Sequence, residues 1–217
     1  MPQVPTQAFQ DRVEAGRILA ERLLQYRHRK DVVVLALPRG GVPIAAQLSA
    51  ALGVPFDVFV VRKLGVPGHE ELAMGAIATG GVRVVNDEVV GPLEIPDTVI
   101  DSVTGREQIE LERRERLYRG SRAPIGLAAR TVILVDDGLA TGSTMRAAVK
   151  AARQQHPSRV VVAVPVGAAS SCADLAREAD DVVCLRMPDP FVAVGLWYRD
   201  FSPTSDEEVR SLLGGDR

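Results

Sequence analysis

Cysteine and histidine are scarce in this chain, which contains two cysteines and three histidines among its 217 residues. Cys172 and Cys184 are too few for a disulfide scaffold, and they form no Cys-x-x-Cys pair. The histidines lie far apart in the sequence, so the chain offers no cluster of His and Cys with metal-ligand spacing. We therefore expect a cytoplasmic protein whose two thiols are small packing residues.

Long apolar runs and a strong charge of either sign are also lacking. The longest runs, 32–38 and 160–169, are far shorter than the roughly 18–20 residues that span a bilayer. Residues 1–5 show no basic start followed by an apolar run, so no signal peptide is visible. The formal net charge of −2 argues against a generally basic nucleic-acid-binding protein. We expect neither a membrane nor a nucleic acid as a partner.

Short apolar runs that alternate with helical patterns dominate the rest of the chain. With 46% apolar residues, its composition is that of an ordinary globular protein, and its length predicts a single domain over 1–217. Uninterrupted apolar strands indicate a parallel sheet covered on both faces, so we predict an α/β, doubly wound, mainly parallel sheet. The predicted strands are 32–37, 56–61, 131–135, 160–166 and 182–185, and the predicted helices are 10–27, 42–52, 143–155 and 170–179.

Three segments fall outside this alternation. Residues 10–30 hold an N-terminal amphipathic helix before the first strand. Residues 62–96 are rich in Gly, Pro and acidic side chains, which predicts a flexible loop followed by a hairpin. Residues 97–122 predict a helical insertion, and we expect its arginines to form a solvated face rather than an RNA-binding surface.

The most informative segment is 132–144, where a predicted strand ends in Asp136 and Asp137 and a small-residue loop opens a helix. Ligands bind doubly wound sheets beyond the carboxyl ends of the strands. Amides at a helix start, joined by hydroxyls, form an anion cradle, and glycine permits a phosphate to approach closely. We therefore expect a phosphate on 141–144 and the hydroxyls of its sugar on the two aspartates. The alternative is a plain turn at Gly138 followed by a helix cap at Ser143.

This segment resembles the phosphoribosyl pyrophosphate (PRPP) motif of type I phosphoribosyltransferases. The resemblance implies that Asp136 and Asp137 hold the ribose 2- and 3-hydroxyls and that 140–144 hold the 5-phosphate. Residues 37–41 resemble the pyrophosphate loop of that family, in which a strained or cis peptide is frequent. The pair Arg62-Lys63 resembles the start of its flexible catalytic loop. The implied 5-phosphate ligands are Ala140, Thr141, Gly142, Ser143 and Thr144, and the implied pyrophosphate ligands are Pro38, Arg39, Gly40, Gly41, Arg62 and Lys63.

The resemblance implies an enzyme of nucleotide metabolism that transfers ribose 5-phosphate from PRPP to a nitrogenous acceptor and releases pyrophosphate. Its implied catalytic residues are Asp136, Asp137, Arg39 and Lys63. Mg²⁺ is the implied cofactor, bound through PRPP without a dedicated cluster of protein ligands. Many members of the family are dimers, so a homodimer is an expectation of the same kind.

Residues 186–203 resemble the apolar C-terminal hood of hypoxanthine-guanine enzymes, which covers the acceptor. The implied acceptor-binding residues are Phe191, Val192, Trp197 and Tyr198. Hypoxanthine-guanine enzymes carry an aspartate where this chain has Ala140, and they carry a lysine that is missing from 165–168. Glu70 or Glu71 is a candidate for the loop glutamate of adenine-type enzymes. The acceptor and the general acid or base therefore stay open.

Two other functions remain open at this point. A regulator that senses PRPP or a nucleotide without turning it over would keep the same binding residues, because a fold does not by itself imply activity. An unrelated phosphohydrolase could use Asp136 and Asp137 as metal ligands, but the sequence offers no further ligands for such a metal.

Overall fold

A computed structural model describes residues 8–214 of the chain, which form seven helices and eight strands. The helices are α1 (Arg12–Glu21), α2 (Gly41–Leu52), α3 (Asp87–Val90), α4 (Asp97–Arg119), α5 (Ser143–Arg153), α6 (Ala169–Leu175) and α7 (Asp206–Leu212). The strands are β1 (Val32–Ala36), β2 (Phe56–Val58), β3 (Val61–Val66), β4 (His69–Ala78), β5 (Val82–Val85), β6 (Thr131–Val135), β7 (Arg159–Val166) and β8 (Asp181–Arg186). Short 3-10 helices lie at Leu24–Tyr26 and Val194–Trp197.

Five of these strands form a parallel sheet in the order β2-β1-β6-β7-β8. Every residue of β1 and β6 is buried, which explains why both strands read as continuous apolar runs. Alternate β1 side chains pack into two cores on opposite faces, one with α1 and α2 and the other with α5 and α6. The predicted α/β doubly wound sheet is confirmed.

The strand order places a topological switch between β1 and β6. The chain leaves β1 through α2 toward β2 on one side, and it leaves β6 through α5 toward β7 on the other. Connections that diverge from neighbouring strands open a crevice beyond their carboxyl ends, where such folds bind ligands. The two predicted binding loops, 38–41 and 136–144, begin at this point.

Residues 62–96 differ from the predicted loop with one hairpin, because β3, β4 and β5 form a three-stranded antiparallel sheet there. Two of the glycines that favoured a loop lie in the turn between β3 and β4 and at a register shift in their pairing. Gly68 has a φ of +83° at the tip, and a Cβ on Gly65 would lie 2.7 Å from the Glu70 carbonyl oxygen. The mobility of the tip stays a prediction.

The helices outside the core alternation have clear boundaries. α4 occupies 97–119 of the predicted insertion, ends at Gly120, and packs against β3, β4 and α7. The N-terminal helix, α1, is shorter than the predicted span because the chain tightens into a 3-10 turn at Leu24–Tyr26. α7 was not predicted, although Ser205 caps it by accepting a hydrogen bond from the Glu208 amide. Among residues 8–214, no helix has the length and apolarity that crossing a bilayer requires.

Candidate functional site

The loops that follow β1 and β6 pack directly against each other. The Leu37 amide donates to the Val135 carbonyl at 2.8 Å, which ties the start of the first loop to the end of β6. A Cβ on Gly41 would lie 2.5 Å from that carbonyl oxygen, and a Cβ on Gly40 would lie 2.1 Å from Asp137 Oδ2. Two glycines therefore let the 38–41 loop touch the aspartate pair. The Pro38–Arg39 peptide is cis, as the resemblance implies.

An arginine from the N-terminal helix completes the aspartate pair. Arg12 donates to Asp137 Oδ2 from Nε at 3.0 Å and from Nη2 at 2.8 Å, and its side chain is 11% exposed. Its third donor, Nη1, bonds the Ser202 carbonyl at 2.8 Å, and its guanidinium lies over the Phe201 ring at 4.1 Å. α1 is close enough to place Arg12 because Gly16 brings it against α2. Sequence reasoning missed Arg12, since no local motif marks it.

Burial raises the pKa of Asp136 well above its usual range, and the neighbouring charge of Asp137 raises it further. Burial also raises the pKa of Asp137, while the hydrogen bonds from Arg12 oppose that rise. The Asp137 amide donates to Asp136 Oδ1 at 2.8 Å and so orients the first carboxylate. A buried pair of carboxylates with raised pKa values is typical of a functional site.

The raised pKa of Asp136 predicts that this carboxylate costs stability. A carboxyl whose pKa is higher in the folded chain than in the unfolded chain favours folding when it is protonated, at pH values below its unfolded pKa of about 3.9. This contribution to stability is lost as pH rises through the folded pKa. We expect Asp136→Asn to raise the melting temperature at pH 8, because the amide keeps the hydrogen-bond acceptor without the charge. The gain should disappear near pH 4, as thermal unfolding at both pH values will test; an equal gain at both would contradict this origin.

The loop at 140–144 has the exposed hydroxyls and the helix start expected of a phosphate site. The side chains of Ser143 and Thr144 are exposed in the first turn of α5, and that of Thr141 is exposed just before it. Gly142 occupies the N-cap position with a φ of +70°. Thr141 Oγ1 accepts a hydrogen bond from the Ser143 amide at 3.4 Å. Ser171 Oγ donates to the Ala140 carbonyl at 2.6 Å and fixes the loop to α6. This arrangement presents backbone amides and hydroxyls on one side.

The basic pair from β3 and the start of α5 line one cleft of about 430 Å³. Arg62, Lys63 and Thr144 face this cleft together with Arg106 and Glu107 of α4. Arg62 is bound to Glu107, with Nη2 2.6 Å from the carboxylate, whereas Lys63 Nζ lies 4.0 Å from the exposed Glu71 carboxylate. The insertion thus contributes charged groups to the cleft, which the resemblance alone did not account for.

Arg39 is placed at the outer side of the 38–41 loop, close to the helix that the sequence did not predict. Its Nη1 lies 3.7 Å from Asp206 Oδ1 on α7, and both side chains are about half exposed. Asp206 also accepts a hydrogen bond from the Tyr118 hydroxyl at 2.9 Å. A half-exposed ion pair is weak, so Arg39 can exchange this carboxylate for another anion.

In the structure, the N-terminal segment pairs with the hood predicted at 186–203. Phe9 and Gln10 pair with 197–200 through three backbone hydrogen bonds of 2.8–2.9 Å. The 3-10 helix Val194–Trp197 lies over the PRPP-like motif, since a Cβ on Gly138 would lie 2.6 Å from Val194. The N-terminal segment that the resemblance left unexplained therefore covers the candidate site.

The four predicted acceptor-binding residues have different surroundings. Tyr198 is 2% exposed, packs against Phe9 and Phe201, and donates its hydroxyl to the Asp137 carbonyl at 2.7 Å. This placement corrects the expectation for Tyr198, because a ring enclosed by the core has no free face for stacking. Phe191 and Trp197 are half-buried around the same cluster, and Val192 is exposed.

The tight approach of Gly40 to Asp137 predicts a strong effect of one methyl group. In Gly40→Ala, the new Cβ would displace the Asp137 carboxylate from Arg12, and we expect PRPP affinity to fall about tenfold or more. Gly105→Ala is the matched control, because that position in α4 is open and alanine favours a helix. Equal PRPP titration curves for the two variants would contradict the prediction.

Comparisons with known proteins agree with this geometry. The model of the phosphoribosyl transferase domain family matches residues 7–198. A Mycobacterium tuberculosis H37Rv protein, provisionally named a phosphoribosyl transferase, is 50% identical over 205 residues, which cover 94% of this chain and 46% of that protein. This chain therefore spans about half the length of that curated relative.

Two further similarities differ in extent. The crystal structure of TT1426 from Thermus thermophilus has a TM-score of 0.86 and 40% identity, covering 95% of this chain and 97% of that one. The bifunctional protein PyrR of Chloroflexus aurantiacus is 33% identical over 129 residues, which cover 58% of this chain and 65% of that protein. Because the family model spans most of the chain and the motif residues meet at one switch point, this chain belongs to the phosphoribosyltransferase family.

Proposed function

We propose that the chain is a Mg²⁺-dependent enzyme that transfers ribose 5-phosphate from PRPP to a nitrogenous acceptor and releases pyrophosphate. The observation that carries the proposal is the convergence of the aspartate pair, the 140–144 loop and the 38–41 loop at one switch point of the sheet. Each has the chemistry that one part of PRPP requires, and they are adjacent in the order in which PRPP carries those parts.

The aspartates are assigned to the ribose. In the proposed complex, the carboxylates of Asp136 and Asp137 accept hydrogen bonds from the 2- and 3-hydroxyls, which are stronger when the acceptor is charged. Arg12 supports this role because it holds the Asp137 carboxylate in place and favours its ionised form. The 5-phosphate is assigned to the amides and hydroxyls of 141–144, at the N-terminus of an eleven-residue helix.

Basic groups are assigned to the leaving pyrophosphate. When the bond from C1 of ribose to pyrophosphate breaks, the electron pair leaves with pyrophosphate, and the acceptor nitrogen forms the new bond and loses its proton. Lys63 in the cleft, and Arg39 once it leaves Asp206, would stabilise that growing negative charge. The tip of the β3–β4 ribbon, 66–69, would exclude water from the ribosyl cation if it closes.

The residues of the site fit a metal that arrives with its substrate. Among residues 8–214, no group of three or more His, Cys, Asp or Glu side chains could hold a metal ion. Mg²⁺ keeps several waters and uses few protein ligands, so oxygens of PRPP would hold it in the site while Asp136 and Asp137 bind the ribose. Mg²⁺ would neutralise charge on the pyrophosphate as it departs.

The deciding experiment measures pyrophosphate release from PRPP and Mg²⁺ with a pool of nucleobases, for the wild-type chain and for Asp137→Asn. We expect acceptor-dependent release, reduced about 100-fold or more in the variant, because the amide cannot replace a charged acceptor held by Arg12. Splitting the pool then identifies the acceptor. Release that is equal in both proteins would refute the role of Asp137.

A PRPP-sensing regulator is the second candidate, and one contact favours it. The Glu107 carboxylate lies 2.6 Å from Arg62 Nη2, and Arg62 is one of the implied pyrophosphate ligands. The partial similarity to a protein named bifunctional is compatible with such a role. The regulator would be favoured if PRPP binds saturably but no acceptor in the pool leads to pyrophosphate release. The same absence of release is then expected in Glu107→Gln, which frees the Arg62 guanidinium.

A further inference from the structure

A second polar cavity lies outside the cleft assigned to PRPP. It measures about 570 Å³ and is formed by the C-terminal end of α4, the turn that follows it, and α7. The charged side chains that line it are Arg116, Arg119, Arg122, Glu207 and Arg210. This volume lies within the range of about 300–1,000 Å³ for small-molecule sites.

The wall of this arginine pocket carries an excess of positive charge, with four guanidinium groups and one carboxylate among its lining residues. Arg119 is neutralised by Asp57 and Glu115, and Arg116 lies 3.9 Å from Glu112. Within the part of the chain that the structure describes, no carboxylate lies within 4.0 Å of the Arg122 or Arg210 guanidinium. An anion entering the pocket would meet at least two cations that the described residues leave without a carboxylate partner.

Part of this wall is held in place before any ligand arrives. Arg122 donates from Nη1 to the Leu213 carbonyl at 2.8 Å, which fixes its guanidinium against the end of α7. Arg119 is almost fully buried and anchors the turn between α4 and Arg122. A planar guanidinium held in place can donate two hydrogen bonds to the oxygens of one phosphate group, which a flexible ammonium group does less well.

We propose that the arginine pocket is a second anion site, which binds a small molecule bearing a di- or triphosphate group. Several guanidinium groups around one cavity suit a ligand with several negative charges rather than a single carboxylate. The pocket shares no lining residue with the cleft, but Tyr118 at its wall bonds Asp206, which lies beside Arg39. The two sites are therefore separate and structurally connected. The proposal does not depend on transferase activity.

The test is isothermal titration calorimetry of the full chain with inorganic tripolyphosphate. The background carries Arg62→Gln and Lys63→Gln, which removes the two cations that β3 contributes to the cleft so that binding reports on the pocket. In that background we expect one tripolyphosphate per chain, and we expect Arg210→Gln to weaken it about tenfold. Arg27→Gln, which removes an exposed arginine elsewhere, is the charge-matched control. Arg116→Gln is the second pocket variant, in case Arg210→Gln does not fold.

Each outcome decides the question. A loss of affinity in a folded pocket variant that exceeds the loss in Arg27→Gln more than about threefold supports the site. Absence of binding in the background variant overturns it. If both pocket variants lose no more than about threefold in affinity relative to Arg27→Gln, the proposal is also overturned, since binding would then depend on the overall charge of the chain. Repeating the titration with adenosine and guanosine triphosphates then distinguishes a nucleotide ligand from an inorganic polyphosphate.

Discussion

Replacing Arg119 by methionine is expected to lower the free energy of unfolding by about 3–5 kcal/mol, because it leaves a buried carboxylate without its partner. Arg119 Nε lies 3.0 Å from both oxygens of Asp57, and the two side chains are 3% and 9% exposed. Its Nη2 donates to the Val58 carbonyl at 2.8 Å and to Thr79 Oγ1 at 3.2 Å. One guanidinium thus joins α4 to β2 of the main sheet and to the end of β4.

Urea unfolding of the variant, compared with two controls, will test this expectation. Arg113→Met breaks the ion pair with Glu110 on the exposed face of the same helix and should change stability little. The double variant Arg119→Met with Asp57→Leu removes both buried charges and should recover much of the loss, since an apolar pair of similar volume replaces them well. A loss below about 1 kcal/mol for Arg119→Met alone would contradict the role of this arginine.

The burial of Arg119 could not be predicted from the sequence. The insertion was expected to present its arginines to solvent, and that holds for Arg113 and Arg116. Arg119 lies on the same helix but is buried, because it pairs with Asp57 in β2. That partner is 62 residues away in the sequence. Charge periodicity describes the exposed face of a helix, whereas a long-range ion pair leaves no periodic signal.

The parts of the fold that were predictable are those with local patterns. β1, β6 and β7 are buried on both faces, so their sequences are unbroken apolar runs. The aspartate pair and the 140–144 loop form one continuous segment, so a single motif carried both. The antiparallel sheet of 61–85 was missed as a sheet because its glycines and its proline resemble those of a loop.

The parts of the site that were not predictable depend on segments distant in sequence. The hood is assembled from Phe9, which precedes the first helix, and from 194–201, so its aromatic residues could not be divided into core and cleft beforehand. Tyr198 became a packing residue because Phe9 and Phe201 enclose it. Arg12 reaches Asp137 across 125 residues, and no sequence spacing records that contact.

Replacing Arg12 by methionine is expected to weaken PRPP use about 10- to 100-fold and to move the acidic limb of the pH profile to higher pH. The methionine keeps the packing against Phe201 but removes the charge-assisted hydrogen bonds to Asp137. A loss equal to one such bond, about 1.5–3 kcal/mol, corresponds to about 10- to 100-fold at 1.4 kcal/mol per tenfold. Because Arg12 lowers the pKa of Asp137 against the effect of burial, its loss raises that pKa further. The ionised Asp137 carboxylate, which we propose accepts a ribose hydroxyl, is then lost at a higher pH than in the wild-type chain.

The pH profile separates this role of Arg12 from a purely structural one. A local packing defect would reduce kcat/KM for PRPP by the same factor at every pH, whereas loss of the cation should reduce it most at the acidic end of the profile and least at the alkaline end. Arg12→Lys retains a positive charge beside Asp137 and should recover part of the shift. Arg17→Met on the exposed face of the same helix should leave the profile unchanged. If the Arg12→Met profile is parallel to that of the wild type, the N-terminal helix holds the hood in place and does not tune the aspartate.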